Sequence, residues 1–158
     1  PEEGWDQSEV LITNERPYYI LTDTSRAWIN AVYLDDFLLS IGGTMVLPPT
    51  RIDHVNGTNA ESRQAAENNQ VIFSGVNAQP GDVVFYNQGF QWTHTALIVG
   101  WGPQTYFADT ATSPHLSKPQ VVEHSTGFAT LGYQPRSVDN TGKPVEEISI
   151  IHIPDVLP

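Results

Sequence analysis

The chain contains no cysteine among its 158 residues, which excludes disulfide bonds and metal sites built from thiolates. Basic residues are also scarce: seven Lys and Arg stand against 18 Asp and Glu, a formal net charge of -11. Nucleic acids and anionic membranes repel a surface of that sign, so we expect neither as a partner. The sequence also lacks an apolar run long enough to cross a bilayer and a recognisable signal peptide.

The length of the chain suits one domain, which we expect to span residues 1–158 with an irregular segment at residues 1–22. The acidic start at Pro1 suggests an excised domain or a processed product. The acidic composition is explained by solubility, and the alternative explanation is that it binds a basic neutralising protein.

Helical periodicity appears within residues 23–41, where apolar side chains recur at spacings of four, three, four and three: Ala27, Ala31, Leu34, Leu38 and Ile41. The glycine pair Gly42 and Gly43 then predicts the end of this helix. Asn30 is an alternative N-cap for a helix that begins only at Ala31. The sequence alone leaves both starts open.

The remaining elements are predicted to be mostly strands. Residues 45–78 are polar and rich in turn formers, which predicts a long covering loop with one short surface helix at "NAESRQAAENN". Residues 82–86 and 93–99 predict a hairpin, and "QTYFADT" a further strand after a turn at "GWGP". "VEEISIIHIPDV" predicts a final strand. One helix followed by antiparallel strands indicates an α+β domain.

His94 is the residue that raises a functional question. It opens an apolar strand, and Asp109 stands fifteen residues later at the end of another apolar run. A neutral imidazole beside a carboxylate is a common arrangement for a general base. A histidine of the core or of a sheet edge explains the same pattern without any catalytic role.

The order of "PGDVVFY" and "HTALIVG" after a helix ending in "GG" resembles the NlpC-type peptidases, the CHAP amidases and the putative amidase domains related to them. The match lies mainly in residues 79–110. The resemblance implies a single α+β domain of papain-like fold, with an N-terminal helix packed on an antiparallel β-sheet. It also implies that His94 is the general base and that Asp109 orients its ring, at a position where relatives use His or Asn.

The resemblance also implies a nucleophilic cysteine at the first turn of the helix, preceded by an aspartate. Counting back from the glycine pair places Ala31 at the cysteine position and Asn30 at the aspartate position. A thiol there is activated by the helix N-terminus and by a nearby imidazole. Three explanations of Ala31 stay open: a replaced natural cysteine, a naturally inactive relative, or an incorrect register.

The function implied by this family is a thiol-dependent amidase or peptidase that cleaves the stem peptides of bacterial peptidoglycan, without a cofactor. Such a domain also resembles the toxin module of a larger protein, secreted or delivered to another cell by a bacterium. We expect its substrate groove to be lined by Asn30, Trp28, Tyr86 and Trp92. The alternatives are a non-catalytic relative that binds a peptide or protein, and a deamidase or acyltransferase acting on proteins.

The other histidines offer weaker functional interpretations. His54 and His115 are expected to be solvated, and His152 to be structural within its apolar strand. A zinc site formed by His94, His115 and His124 is disfavoured, because their spacings match no compact ligand pattern. We therefore predict no metal.

Overall fold

The computed structural model describes residues 34–87, 92–106, 111–123, 135–141 and 145–153. These residues form two helices and six strands, in the order α1 (Leu34–Ser40), β1 (Thr44–Arg51), α2 (Ala60–Phe73), β2 (Val83–Asn87), β3 (Trp92–Thr105), β4 (Thr112–Val122), β5 (Arg136–Ser137) and β6 (Glu147–His152). The strands form one sheet in the order β1-β6-β2-β3-β4-β5, and every neighbouring pair is antiparallel. None of the described helices is long and apolar enough to span a membrane.

The expected papain-like fold, with an N-terminal helix packed on an antiparallel sheet, is wrong. The described residues form mostly a six-stranded sheet with two short helices. The N-terminal helix is described only at Leu34–Ser40, and the earlier part of its predicted span lies outside the described residues. Part of the difference arises at residues 45–78, a polar segment predicted to be a loop, which instead adds a strand to the sheet.

The predicted loop at residues 45–78 is the first difference, because it contains β1, which includes Pro48 and Pro49. The helix predicted at "NAESRQAAENN" is present as α2, which extends to Phe73 over 14 residues and packs on the core. Because β1 lies at an edge of the sheet, its prolines can lack an N–H without breaking a central ladder. Asn59 is the N-cap of α2, and its side chain accepts a hydrogen bond from the Ser62 amide at 2.8 Å.

The second difference concerns "GWGP", which was predicted to be a turn. Strand β3 instead continues through it to Thr105 and pairs with β4, with Trp101 opposite Pro119 and Gly102 opposite Lys118. The predicted hairpin of β2 and β3 is present, and so is the final strand β6. The strand expected at "QTYFADT" is therefore replaced, over its described part, by the end of β3.

The main core lies between α2 and one face of the sheet. It includes Phe73 of α2 together with Val84, Ile98, Val121 and Ile150 of four different strands. On the opposite face, α1 places Leu38 against Phe85 and Ile151. The burial of apolar side chains on both faces stabilises the sheet.

A polar network is buried where α2 meets β3, β4 and the turn after β5. The Lys118 ammonium group donates hydrogen bonds to the Ala66 carbonyl at 2.9 Å, to the Asp139 carboxylate at 2.9 Å and to the Gln104 side chain. The same carboxylate accepts a bond from Asn69 at 3.0 Å. Since Lys118 and Asp139 have fully buried side chains, the network compensates two charges that water cannot reach.

The "PGD" motif has a structural role at the start of β2. Gly81 adopts a φ of +96°, and its amide donates a hydrogen bond to the Ile98 carbonyl at 2.8 Å. The carboxylate of Asp82 accepts a bond from the Gln79 amide at 2.8 Å and lies 2.6 Å from Nδ1 of His152. These bonds link the turn before β2 to β3 and β6.

We expect Gly81→Ala to destabilise the protein by about 1–2 kcal/mol, because a Cβ disfavours positive φ. A methyl group at Gly81 would meet no atom within 4 Å, so backbone strain alone should cause the loss. The matched control is Gly75→Ala, which also meets no atom within 4 Å and has no such φ. Urea unfolding of both variants provides the measurement, and an equal stability of the two would refute the expectation.

Candidate functional site

His94 lies on the core-facing side of the sheet near the start of β3. Side chains two residues apart on a strand share a face, and Ala96 and Ile98 on this face are buried. The side chain of His94 is 32% exposed, so solvent reaches the ring although it borders the core. Its cross-strand neighbour in β2 is Tyr86. The position therefore combines a rigid strand with access to solvent.

Glu123 is the carboxylate that the structure places on the imidazole. Its Oε1 lies 2.7 Å from Nε2 of His94, and its side chain is only 12% exposed. Glu123 directly follows β4, two residues after the buried Val121, so the alternation of the strand turns it toward the same face as His94. With a neutral ring, the Nε2–H group donates a hydrogen bond to this carboxylate.

Arg136 binds the other oxygen of the same carboxylate. Its guanidinium forms an ion pair with Oε2 of Glu123, and its side chain is 15% exposed. The pairing of β4 with β5 sets Arg136 directly opposite Val121, which brings it to the same end of the sheet. Burial lowers the pKa of Arg136 from its ordinary value, and the electrostatic interaction with the Tyr86 phenol opposes this shift.

Tyr86 is the buried aromatic neighbour of the His94 ring. It is 3% exposed, its ring centroid lies 5.8 Å from that of His94, and its hydroxyl donates a hydrogen bond to the Val138 carbonyl at 2.7 Å. Burial raises the pKa of Tyr86 well above its ordinary value, and the Asp139 carboxylate raises it further. The positive charge of Arg136 acts in the opposite direction. Tyr86 is therefore a neutral, fixed neighbour of the imidazole at physiological pH.

Most of the predicted site residues lie outside the described part of the chain. These are Ala31 and Asp109 of the catalytic set, and Asn30 and Trp28 of the groove. Of the others, Trp92 is the first residue of β3, and only His94 and Tyr86 are seen together. The roles of Ala31 and Asp109 stay predictions.

Sequence reasoning missed Glu123 and Arg136. Neither was considered as a partner of His94, because β4 and β5 were not predicted. A signal exists for Glu123, since it follows the apolar pair Val121 and Val122 at strand spacing. For Arg136, which is 42 residues from His94 in the sequence, we find no local signal.

Two other described histidines pair with carboxylates, whereas His54, expected to be solvated, is half-buried and its Nε2 has no hydrogen-bond partner. His152 contacts the buried Asp82, while His115 lies 2.6 Å from Glu67 with most of its side chain exposed. Within the described ranges, no three His, Asp or Glu side chains are grouped so that they could hold a metal ion.

Comparison with known proteins finds no counterpart: no protein-family model matches the chain, and neither curated proteins nor solved structures give a match.

Proposed function

We propose that the protein is a hydrolase of amide bonds in which His94 is the proton-transfer residue and Glu123 holds its ring. The observation that carries this proposal is the 2.7 Å contact between Nε2 of His94 and Oε1 of Glu123 on a partly exposed ring. An imidazole held by a carboxylate is oriented and stabilised when it becomes protonated, as a general base requires.

The tautomer decides which nitrogen acts. Because Nε2 donates to Glu123, the lone pair for proton transfer belongs to Nδ1. In the proposed reaction Nδ1 accepts the proton of a thiol as the sulfur attacks the amide carbonyl, and then delivers it to the leaving amine as the C–N bond breaks. Water then attacks the thioester while His94 accepts its proton; the C–S bond breaks, the carboxylic acid leaves, and His94 returns the proton to the sulfur.

The nucleophile belongs to position 31, where the family resemblance expects a cysteine and this chain has Ala31. A chain without cysteine cannot perform thiol chemistry, so we propose that it is an inactive form of the enzyme. The proposed substrates are peptide amides of bacterial peptidoglycan, reached by a protein that is secreted or delivered to another cell. Both proposals follow from the resemblance.

Restoring the thiol tests this function. We expect Ala31→Cys to release stem peptides or new amino termini from purified peptidoglycan, measured by chromatography and mass spectrometry, whereas the chain with Ala31 releases none. The control is Ser74→Cys, which places a thiol at the exposed C-terminal end of α2. Failure of Ala31→Cys to cleave any amide above this control would refute the thiol mechanism. Products from protein glutamine or lysine side chains alone would identify a deamidase or acyltransferase.

A binding module is the second candidate, favoured by the absence of cysteine from the whole chain. In that function His94 and Glu123 recognise a polar group of a peptide rather than transfer a proton. Isothermal titration of the present chain with stem peptides, compared with Glu123→Gln, tests it. Binding weakened in this variant, together with an inactive Ala31→Cys, supports the binding function.

A further inference from the structure

We infer that Arg136 keeps His94 in its neutral, proton-accepting form by neutralising the charge of Glu123. This inference rests on the proposed function, in which His94 is the general base. Arg136 acts on the imidazole through Glu123 in this scheme, so it is a positioning residue.

The geometry divides the two oxygens of one carboxylate between two partners. Oε1 of Glu123 lies at the His94 ring, and Oε2 contacts the Arg136 guanidinium. The side chains of Glu123 and Arg136 are only 12% and 15% exposed, so water and salt screen their charges weakly. Arg136 lies in β5, and Glu123 directly follows the neighbouring strand β4, so the pairing of these strands fixes the backbone at both residues.

The charges that face His94 come from each neighbouring element. Among the described residues they are Glu123 after β4, Arg136 of β5 and the phenol of Tyr86 of β2, with Asp139 acting on Tyr86. Tyr86 carries no charge near neutral pH because its pKa is raised, and Asp139 is paired with Lys118 at 2.9 Å. Among the described groups, the negative charge of Glu123 and the positive charge of Arg136 therefore oppose each other at His94.

Removing the guanidinium leaves an uncompensated negative charge in a poorly solvated position. The charge attracts a proton to the imidazole, because an opposite charge within about 4–6 Å favours the charged form. A protonated His94 has no lone pair with which to accept the proton of a nucleophile. Arg136 thus allows Glu123 to orient the ring without keeping it protonated.

The test is an NMR titration of the His94 imidazole in the full chain, which needs no thiol and no activity. In Arg136→Met we expect the midpoint to rise by about one pH unit, a tenfold change in the protonation equilibrium. Arg136→Lys should restore the midpoint of the parent because it keeps the positive charge. Glu123→Gln should move the midpoint in the opposite direction, to lower pH. Arg136→Gln, a polar and uncharged variant, replaces Arg136→Met if the latter does not fold.

An activity profile separates this inference from the proposed function. In the Ala31→Cys background, Arg136→Met should shift the acid limb of kcat/KM to higher pH by the same amount, with recovery in Arg136→Lys. A midpoint that stays unchanged or falls in Arg136→Met overturns the inference, even if Ala31→Cys is active. If the midpoints move as expected while Ala31→Cys is inactive, the charge balance stands and the proposed thiol hydrolase fails.

Discussion

Lys118→Met is expected to destabilise the protein by about 3–5 kcal/mol, because it leaves the Asp139 carboxylate buried without a cation. Both side chains are fully buried, and the ammonium group is also bound to Ala66 of α2 and Gln104 of β3. The loss should therefore combine an uncompensated charge with a lost bond to the helix α2 and a lost bond to the neighbouring strand β3. The free energy of unfolding from urea denaturation measures it.

A second ion pair of β4 provides the matched control. His115 of β4 contacts Glu67 of α2, but their side chains are 65% and 48% exposed. Glu67→Gln should change the unfolding free energy by less than about 1 kcal/mol, because water solvates both groups after the pair is lost. A loss in Lys118→Met as small as in Glu67→Gln would contradict the structural role of the network.

The double variant Lys118→Met/Asp139→Leu tests whether charge is the cause. Replacing both members of a buried pair by apolar groups removes the uncompensated charge, so the double variant should be more stable than Lys118→Met alone. Asp139→Asn is the milder single variant, since it keeps the size of the side chain. It should still be destabilised, because Lys118 then lacks its anion.

His94→Ala in the Ala31→Cys background is expected to lower kcat/KM for amide cleavage by about 10²–10⁴-fold, the usual contribution of a general base. The fold should persist, because the side chain is partly exposed at a strand end. His115→Ala is the control, since that imidazole lies on the surface away from the proposed reaction. Unchanged turnover in His94→Ala would remove the imidazole from the mechanism.

Activity measurements in the Ala31→Cys background also show which carboxylate orients the His94 ring. The resemblance assigns this role to Asp109, whereas the structure places Glu123 at 2.7 Å from Nε2. We expect Glu123→Gln to reduce kcat, because an amide stabilises the imidazolium less than a carboxylate does, and Asp109→Asn to retain it. The reverse result would return the orienting role to Asp109. Circular dichroism of each variant checks that the fold is kept.

Several features of the protein were determined by the sequence itself. The absence of cysteine excludes thiol chemistry in this chain, and the acidic balance disfavours anionic partners. The hairpin of β2 and β3 and the strand β6 could be predicted, because their apolar residues are contiguous or alternate within a few positions. His94 could be selected for the same reason, as a polar residue at the start of such a strand.

Only the tertiary structure decided the strand β4 and the partners of His94. The inward positions of β4 include Lys118, which is buried because Asp139 from beyond β5 and Ala66 from α2 complete its bonds. Local hydrophobicity cannot reveal a lysine that becomes a core residue through partners 21 and 52 residues away. Glu123 and Arg136 were missed because strand pairing brings them to His94: the strand spacing before Glu123 does not show which strand it pairs with, and Arg136 has no local signal.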